Sequence, residues 1–275
     1  MKSLINITIK PALLAGTLLL TAISPVSGEI IYRTGFEAPT FVAGLPLAGQ
    51  DGWIAPSVFS PNAALITTAK PRQGKQTVRV LGADLVHQDF LGPLTGGYYD
   101  AIGSYRHTVN FDTGGTNAVV VSARVRVDGP RTPTGTNFFS ASLATRTTLT
   151  DGSTAGTGEL ALSSDGHVYG YSGNENAPTL LAHDRVRLGE WHQLTVIVDF
   201  ATRTYSFLVD EDYLGTFAFD PNNGPGVDYT TIFKRGSLVT YAGPDTATLQ
   251  KANYSAHYDH FVIEAESGSD SDDQE

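Results

Sequence analysis

Ala118-Val-Val-Val-Ser-Ala-Arg-Val-Arg-Val127 decides how the rest of the chain is read. Val119, Val121, Ala123, Val125 and Val127 share one parity, and Val120, Ser122, Arg124 and Arg126 share the other. An apolar period of two describes a β-strand with one face buried, because successive side chains point to opposite sides of the backbone. Asp128-Gly-Pro130 ends the run with residues that favour turns. Downstream, Glu159 to Ser163 alternates again before the turn Ser164-Asp-Gly166, and His167-Val-Tyr-Gly-Tyr171 returns at once, so 159–171 reads as a hairpin. Trp191 to Asp199 and Thr204 to Val209 form a second hairpin across Phe200-Ala-Thr-Arg203. Asp210 to Gly215 reads as a polar turn and Thr216 to Phe219 as the next strand. Tyr258 to Glu264 closes the folded body. Short strands separated by frequent turn signals predict a sandwich or barrel, and no stretch carries a capped 3.6-residue period.

Composition agrees. The 275 residues are 41% hydrophobic and only 17% charged, which excludes a disordered chain and a multispanning membrane protein. There are 29 glycines, and aromatic residues make up 10%, which suits many turns and pleated surfaces. With 18 Lys+Arg against 28 Asp+Glu the net charge is −10, so no excess of cations exists to neutralise nucleic acid or an anionic membrane. Cysteine is absent, which removes disulfides, thiolate metal sites and a Cys nucleophile.

The two ends differ from the middle. Lys2 and Lys10 precede the short apolar run 11–24, and Val26-Ser-Gly28 offers small residues for cleavage, so residues 1–28 are expected to be a signal peptide. The apolar run is too short for a bilayer span of about 20 residues, so no membrane span is expected after cleavage. Residues 266–275 are acidic and small, and are expected to be a disordered tail. That leaves 29–265 as one folded body and predicts a secreted, periplasmic or cell-surface protein.

Gly189-Glu-Trp-His-Gln-Leu-Thr-Val-Ile-Val-Asp-Phe200 followed by Thr204 to Gly215 resembles the central hairpin of the concanavalin A-like lectin/glucanase superfamily, in the style of the laminin-G-like jelly rolls of exported bacterial proteins. Ser164 to Tyr171 fits the strand pair just upstream, and Gly35-Phe-Glu37 and Tyr258-Asp-His-Phe-Val262 resemble the first and last strands, which pair in that fold. The resemblance implies an all-β, antiparallel jelly-roll β-sandwich in which Trp191 packs between the sheets. Such folds host lectins, glycosidases, lyases and adhesion modules, so function must be argued from the site.

The expected partner is a polysaccharide or cell-surface glycan, bound by a non-catalytic carbohydrate-binding or surface-association module. Aromatic faces stack on the apolar patches of sugars, and Trp53, Tyr98, Tyr99 and Tyr105 are the candidate platforms; Tyr98 and Tyr99 sit together behind Gly96-Gly97. The alternative is a polysaccharide lyase, which needs cations to neutralise a uronate carboxylate and a Tyr or His to move a proton. Arg124, Arg126, His167, Tyr169 and Tyr171 supply those types. Lyases of this fold carry R-x-E-L, Q-x-H and Y-F-K-x-G strands; Arg124-Val-Arg lacks the acid, His87-Gln88 reverses the second, and Phe233-Lys-Arg-Gly236 keeps only part of the third. The i, i+2, i+4 carboxylates of a glucanase strand are missing mid-chain. The resemblance further implies a structural Ca²⁺ where the end strands pair, with Glu37 and Asp259 at the two matching positions and other oxygens completing its shell.

Overall fold

The computed structural model describes residues 28–56, 62–84, 101–115, 117–133, 139–171, 179–182, 186–219, 229–242 and 253–266. Residues 1–27 of the expected signal peptide, residues 267–275 of the acidic tail, His87, Gln88, Tyr98 and Tyr99 lie outside them, while Glu266, expected in the tail, ends β15 opposite Ala118. Two antiparallel sheets form a sandwich. Sheet A runs β13 (Asp212–Ala218), β12 (Thr204–Val209), β11 (His192–Asp199), β6 (Ala118–Asp128), β15 (Ser255–Glu266), β4 (Thr77–Leu81) and β3 (Ala64–Thr67), with β1 (Glu29–Thr34) also on β15. Sheet B runs β10 (Thr179–Ala182), β9 (Val168–Tyr171), β8 (Thr154–Ser163), β7 (Phe139–Leu149), β14 (Tyr229–Ala242), β5 (Ala101–Asp112) and β2 (Trp53–Ile54).

β6 has the alternation its sequence demands. Val119, Val121, Ala123, Val125 and Val127 are buried, and the residues between them are half-buried. It is flanked on both sides, with Val121 opposite Val196 of β11 and Ile263 of β15. Leu143, Leu160, Leu162 and Leu238 of sheet B close the same core from the other side. Each such side chain contributes about 1.5–3 kcal/mol by leaving water, and close packing makes their shapes matter. Gly236 shows this: a Cβ there would lie 2.6 Å from the Phe261 ring of the opposite sheet. Tyr258 ties the sheets with a polar bond. Its hydroxyl donates to Val239 O at 2.7 Å and stands 2.7 Å from Thr240 Oγ1.

Three expectations are corrected. The turn after β12 is only Asp210-Glu211, with φ of 51° and 72°, and the chain is already paired from Asp212. Two consecutive positive φ values are what a tight hairpin turn needs, so the polar run 212–215 is an edge strand. Asp151 to Glu159 has the Gly, Ser and Thr content that reads as a flexible polar loop, but the chain turns at Asp151-Gly152 and is β8 from Thr154. Trp191 is half-buried and stands edge-on to His257, 6.5 Å between ring centres. His257 has the parity opposite to the core residues Ala256 and Tyr258, so Trp191 is not between the sheets.

The first and last strands do pair, with Glu29 opposite Ala265 and Thr34 opposite Phe261. The same edge of β15 takes two partners in succession, β4 along Ser255–Tyr258 and β1 along Phe261–Ala265. Asp259 and His260 sit in the gap between them, where the ladder has no strand to bond.

Candidate functional site

The gap in the β15 edge leaves backbone amides that secondary structure does not satisfy, and buried amides need acceptors. The segments arriving there are 35–37 after β1 and 72–76 before β4. Asp259 Oδ2 accepts from the amides of Arg72 and Gln73, both at 3.0 Å, and its Oδ1 accepts from His260 N at 2.7 Å. Glu37 Oε1 accepts from Lys75 N at 2.8 Å and Gln76 N at 2.9 Å. The two expected calcium ligands are therefore neighbours, as the end-strand pairing requires. Burial pushes the Asp259 carboxyl above its ordinary range, with the Glu37 charge adding to it, while the three amides pull it back. In this arrangement Glu37 Oε1 and both Asp259 oxygens accept from backbone amides. The two carboxylates thus act as a clasp on the backbone of 72–76 and on the bulge at His260.

The lyase-type residues separate onto opposite sheets. Arg124 and Arg126 project from the outward face of sheet A, where Arg126 forks onto Asp128 with Nε–Oδ1 at 3.0 Å and Nη2–Oδ1 at 2.8 Å. Tyr169 and Tyr171 belong to sheet B, and His167 to the turn that leads into them. Tyr169 donates to Asp165 Oδ2 at 2.7 Å, and Asp165 Oδ1 accepts from His167 N at 3.1 Å. This is a turn held by its own carboxylate.

Trp53 and Tyr105, expected as sugar platforms, are core residues at 0% and 1% exposure. Trp53 packs edge-on to Phe261 at 5.0 Å and donates its indole N–H to Tyr32 Oη at 3.1 Å. The reason is β2: two residues of edge strand put Trp53 opposite His107 with its ring inward.

The outward face of sheet B follows from parity. β7 buries Phe139, Ala141 and Leu143 in the main core and turns Ser140, Ser142, Ala144 and Arg146 the other way. By the same rule β8 presents Glu159, Ala161 and Ser163, β9 presents Tyr169 and Tyr171, β14 presents Arg235, Ser237, Val239 and Tyr241, and β5 presents Ser104 and Arg106. Ala144, Ala161, Tyr169, Tyr171, Val239 and Tyr241 form an apolar cluster separate from the main core. Tyr171 stacks on Tyr241 at 6.0 Å and 18°. These tyrosines are 8%, 2% and 6% exposed for Tyr169, Tyr171 and Tyr241, so they wall the face and are not open platforms. The buried Glu159 accepts from the Ser142 hydroxyl.

Beside this wall three guanidinium groups meet. Arg235 is directly opposite Arg146, and Arg106 is opposite Ser237, one diagonal step away. Directly opposed like charges destabilise a sheet. Burial first, then the charges of Arg106 and Arg146, push the Arg235 guanidinium down to about 10. Its Nε is buried and finds no acceptor among the described residues. Sequence reasoning missed this cluster because each arginine stands alone in a different strand.

No family model matches the chain, and no curated protein matches it in sequence. Among solved structures it is similar to the carbohydrate esterase vb_24B_21 of the Shiga toxin-encoding bacteriophage phi24B, with TM-score 0.53 and 12% identity over 87% of this chain and 100% of that one. It is also similar to a structure from work on endo-acting O-glycanases with which human gut bacteria initiate mucin breakdown, with TM-score 0.50 and 10% identity over 86% of this chain and 99% of that one. At these identities the likeness is one of fold.

Proposed function

We propose that this chain is an exported, non-catalytic carbohydrate-recognition module that binds an acidic glycan on the outward face of sheet B. One observation carries the reading. Arg235 is a half-buried cation whose charged neighbours among the described residues are two more arginines, and its Nε lacks an acceptor. Such a group costs stability in the free protein. An anion placed between the three guanidiniums offsets the repulsion and supplies the missing acceptor. Planar guanidinium forks match carboxylate and sulfate groups bidentately, which an ammonium does not. The glycan-active proteins that share the fold, an esterase and an O-glycanase by their names, are in keeping with this.

The non-catalytic part rests on the missing templates and on the tyrosines. Tyr169 is nearly buried with its hydroxyl already given to Asp165, which leaves it poorly placed to move a substrate proton. Export rests on the amino-terminal pattern.

The test is a glycan array followed by calorimetry with alginate, glucuronan, a sulfated glycan and neutral β-glucan. Acidic chains should be retained and β-glucan should not, and Arg235→Gln should weaken binding at least tenfold. Retention of neutral glycans alone, or unchanged binding by Arg235→Gln, would overturn the reading. Growth of absorbance near 235 nm on a polyuronate would replace it with a lyase.

A further inference from the structure

The opposite sheet holds a second feature that the proposed glycan face does not use. On the outward side of sheet A lies a cavity of about 290 Å³. Three different parts of the fold build it. Arg124 and Ser122 come from the middle of β6, and Gln193 from β11 beside them. Glu264 and Arg33 form the far rim, paired at 3.2 Å across β15 and β1. Arg72, Gln73 and His260 form the third wall and are the residues whose amides Asp259 holds.

Arg124 decides what the cavity wants. The strand register sets Asp259 directly opposite it on β15, and an opposed carboxylate would ordinarily neutralise a guanidinium. Here that carboxylate is committed to three backbone amides. Among the described residues the Arg124 guanidinium makes no hydrogen bond or ion pair, and the Arg72 guanidinium also makes none. By contrast Arg126, two residues along the same face, is forked onto Asp128. His260 points to a constraint of the same kind. It has φ of 49°, in the left-handed region that side-chain-bearing residues rarely adopt. It sits where the β15 register shifts between Asp259 and Val262. Residues held in such conformations cluster at ligand sites because the surroundings over-determine them.

We propose that this cavity is a binding site, separate from the face of sheet B, for a single carboxylated sugar unit, with the Arg72 and Arg124 guanidiniums on the carboxylate. The Gln73 and Gln193 amides, the Ser122 hydroxyl and the His260 imidazole lie around the ring hydroxyls, and the Arg33–Glu264 pair presents a donor and an acceptor at the rim. The volume is at the small end for ligand pockets and holds one ring rather than a chain. Among the described residues no Phe, Tyr or Trp lines it, so recognition is by charge and hydrogen bonds and is sensitive to salt. Asp259 is a positioning residue, because it carries the loop and the bulge that close the cavity.

The experiment is a titration of the full chain with sodium glucuronate, followed by amide chemical shifts, with glucose and sodium sulfate in parallel. Glucuronate should perturb residues around Arg124 and His260 and glucose should not. Arg124→Ala and Arg72→Ala should each weaken glucuronate binding at least tenfold while leaving the melting temperature near that of the wild type. Arg235→Gln should leave the glucuronate shifts around Arg124 and His260 unchanged, which separates this site from the glycan face: an unsubstituted chain that binds the monomer but no acidic polymer condemns that face, and one that binds the polymer but shows no monomer shifts around Arg124 condemns this cavity. Equal responses to glucose and glucuronate, binding of sulfate as tight as glucuronate, or an Arg124→Ala variant that binds normally would each overturn the proposal.

Discussion

The two outward faces are built by the same alternation and use their charges in opposite ways. Much of the sheet A charge is spent on the protein itself. Asp128 takes Arg126, Lys70 at 3.2 Å and His257 at 3.3 Å, and Asp259 and Glu37 hold loop amides. One exception on that face is the cavity around Arg124. Sheet B gathers Arg106, Arg146 and Arg235 beside buried serines and tyrosines, and burial with like charges works against Arg235. A charge that is paired stabilises the fold, and a half-buried cation such as Arg235 that faces like charges is held in place by the rest of the fold and gains from a ligand. That contrast sets the order of expected effects.

The largest belongs to the clasp. Asp259→Ala leaves the amides of Arg72, Gln73 and His260 without their acceptor, and each unsatisfied donor costs about 1–3 kcal/mol when water cannot replace it. A total loss of about 3–5 kcal/mol in urea unfolding is expected. Glu37→Ala should cost less, because its partners are nearer solvent. Because three of the four clasp oxygens already accept amides, melting curves in EDTA and in millimolar calcium should coincide; a rise with calcium would favour the calcium site that the end-strand resemblance implies.

Acid comes next. His257 is buried, and burial lowers its pKa to about 4 even though the Asp128 carboxylate opposes the shift; Lys70, Arg126 and Arg79 add to it. Unfolded, the imidazole titrates near 6.5. The unfolded chain therefore binds the extra proton between those values, so this residue contributes no penalty above pH 6.5. A loss grows as the pH falls toward 4 and reaches about 3 kcal/mol. His257→Gln should flatten the dependence of unfolding free energy on pH in that window; an unchanged slope would mean that Asp128 keeps the imidazole protonated in the folded state.

A smaller effect of the opposite sign is expected on sheet B. Arg235→Gln removes the central cation of the triad and should raise stability by about 1 kcal/mol after allowance for solvent screening. The melting temperature would rise as acidic-glycan binding falls. A loss of stability would show that Arg235 is part of the framework. The smallest effect is at the rim of the cavity. Arg33 and Glu264 are half-exposed, so Glu264→Gln should change stability by less than about 0.5 kcal/mol.

The fold was legible because its signal is local. Val119 to Val127 alternates within ten residues, and a buried strand face cannot be written otherwise. The hairpins 159–171 and 191–209 carry their turns beside their strands, and the pairing of the end strands followed from the resemblance of 35–37 and 258–262. The platforms were misread for a local reason too: Trp53 and Tyr105 have the composition of a sugar site, but their parity on β2 and β5 turns them inward. Tertiary structure alone decided the sites. Arg106, Arg146 and Arg235 lie on three strands far apart in sequence, and only the order β7–β14–β5 makes them neighbours. Arg124 gave no sign that its opposed carboxylate would be claimed by loop amides. Alternation along one strand states which side a residue faces; the non-local pairing of strands decides which charges share that side, and the chemistry resides in that second decision.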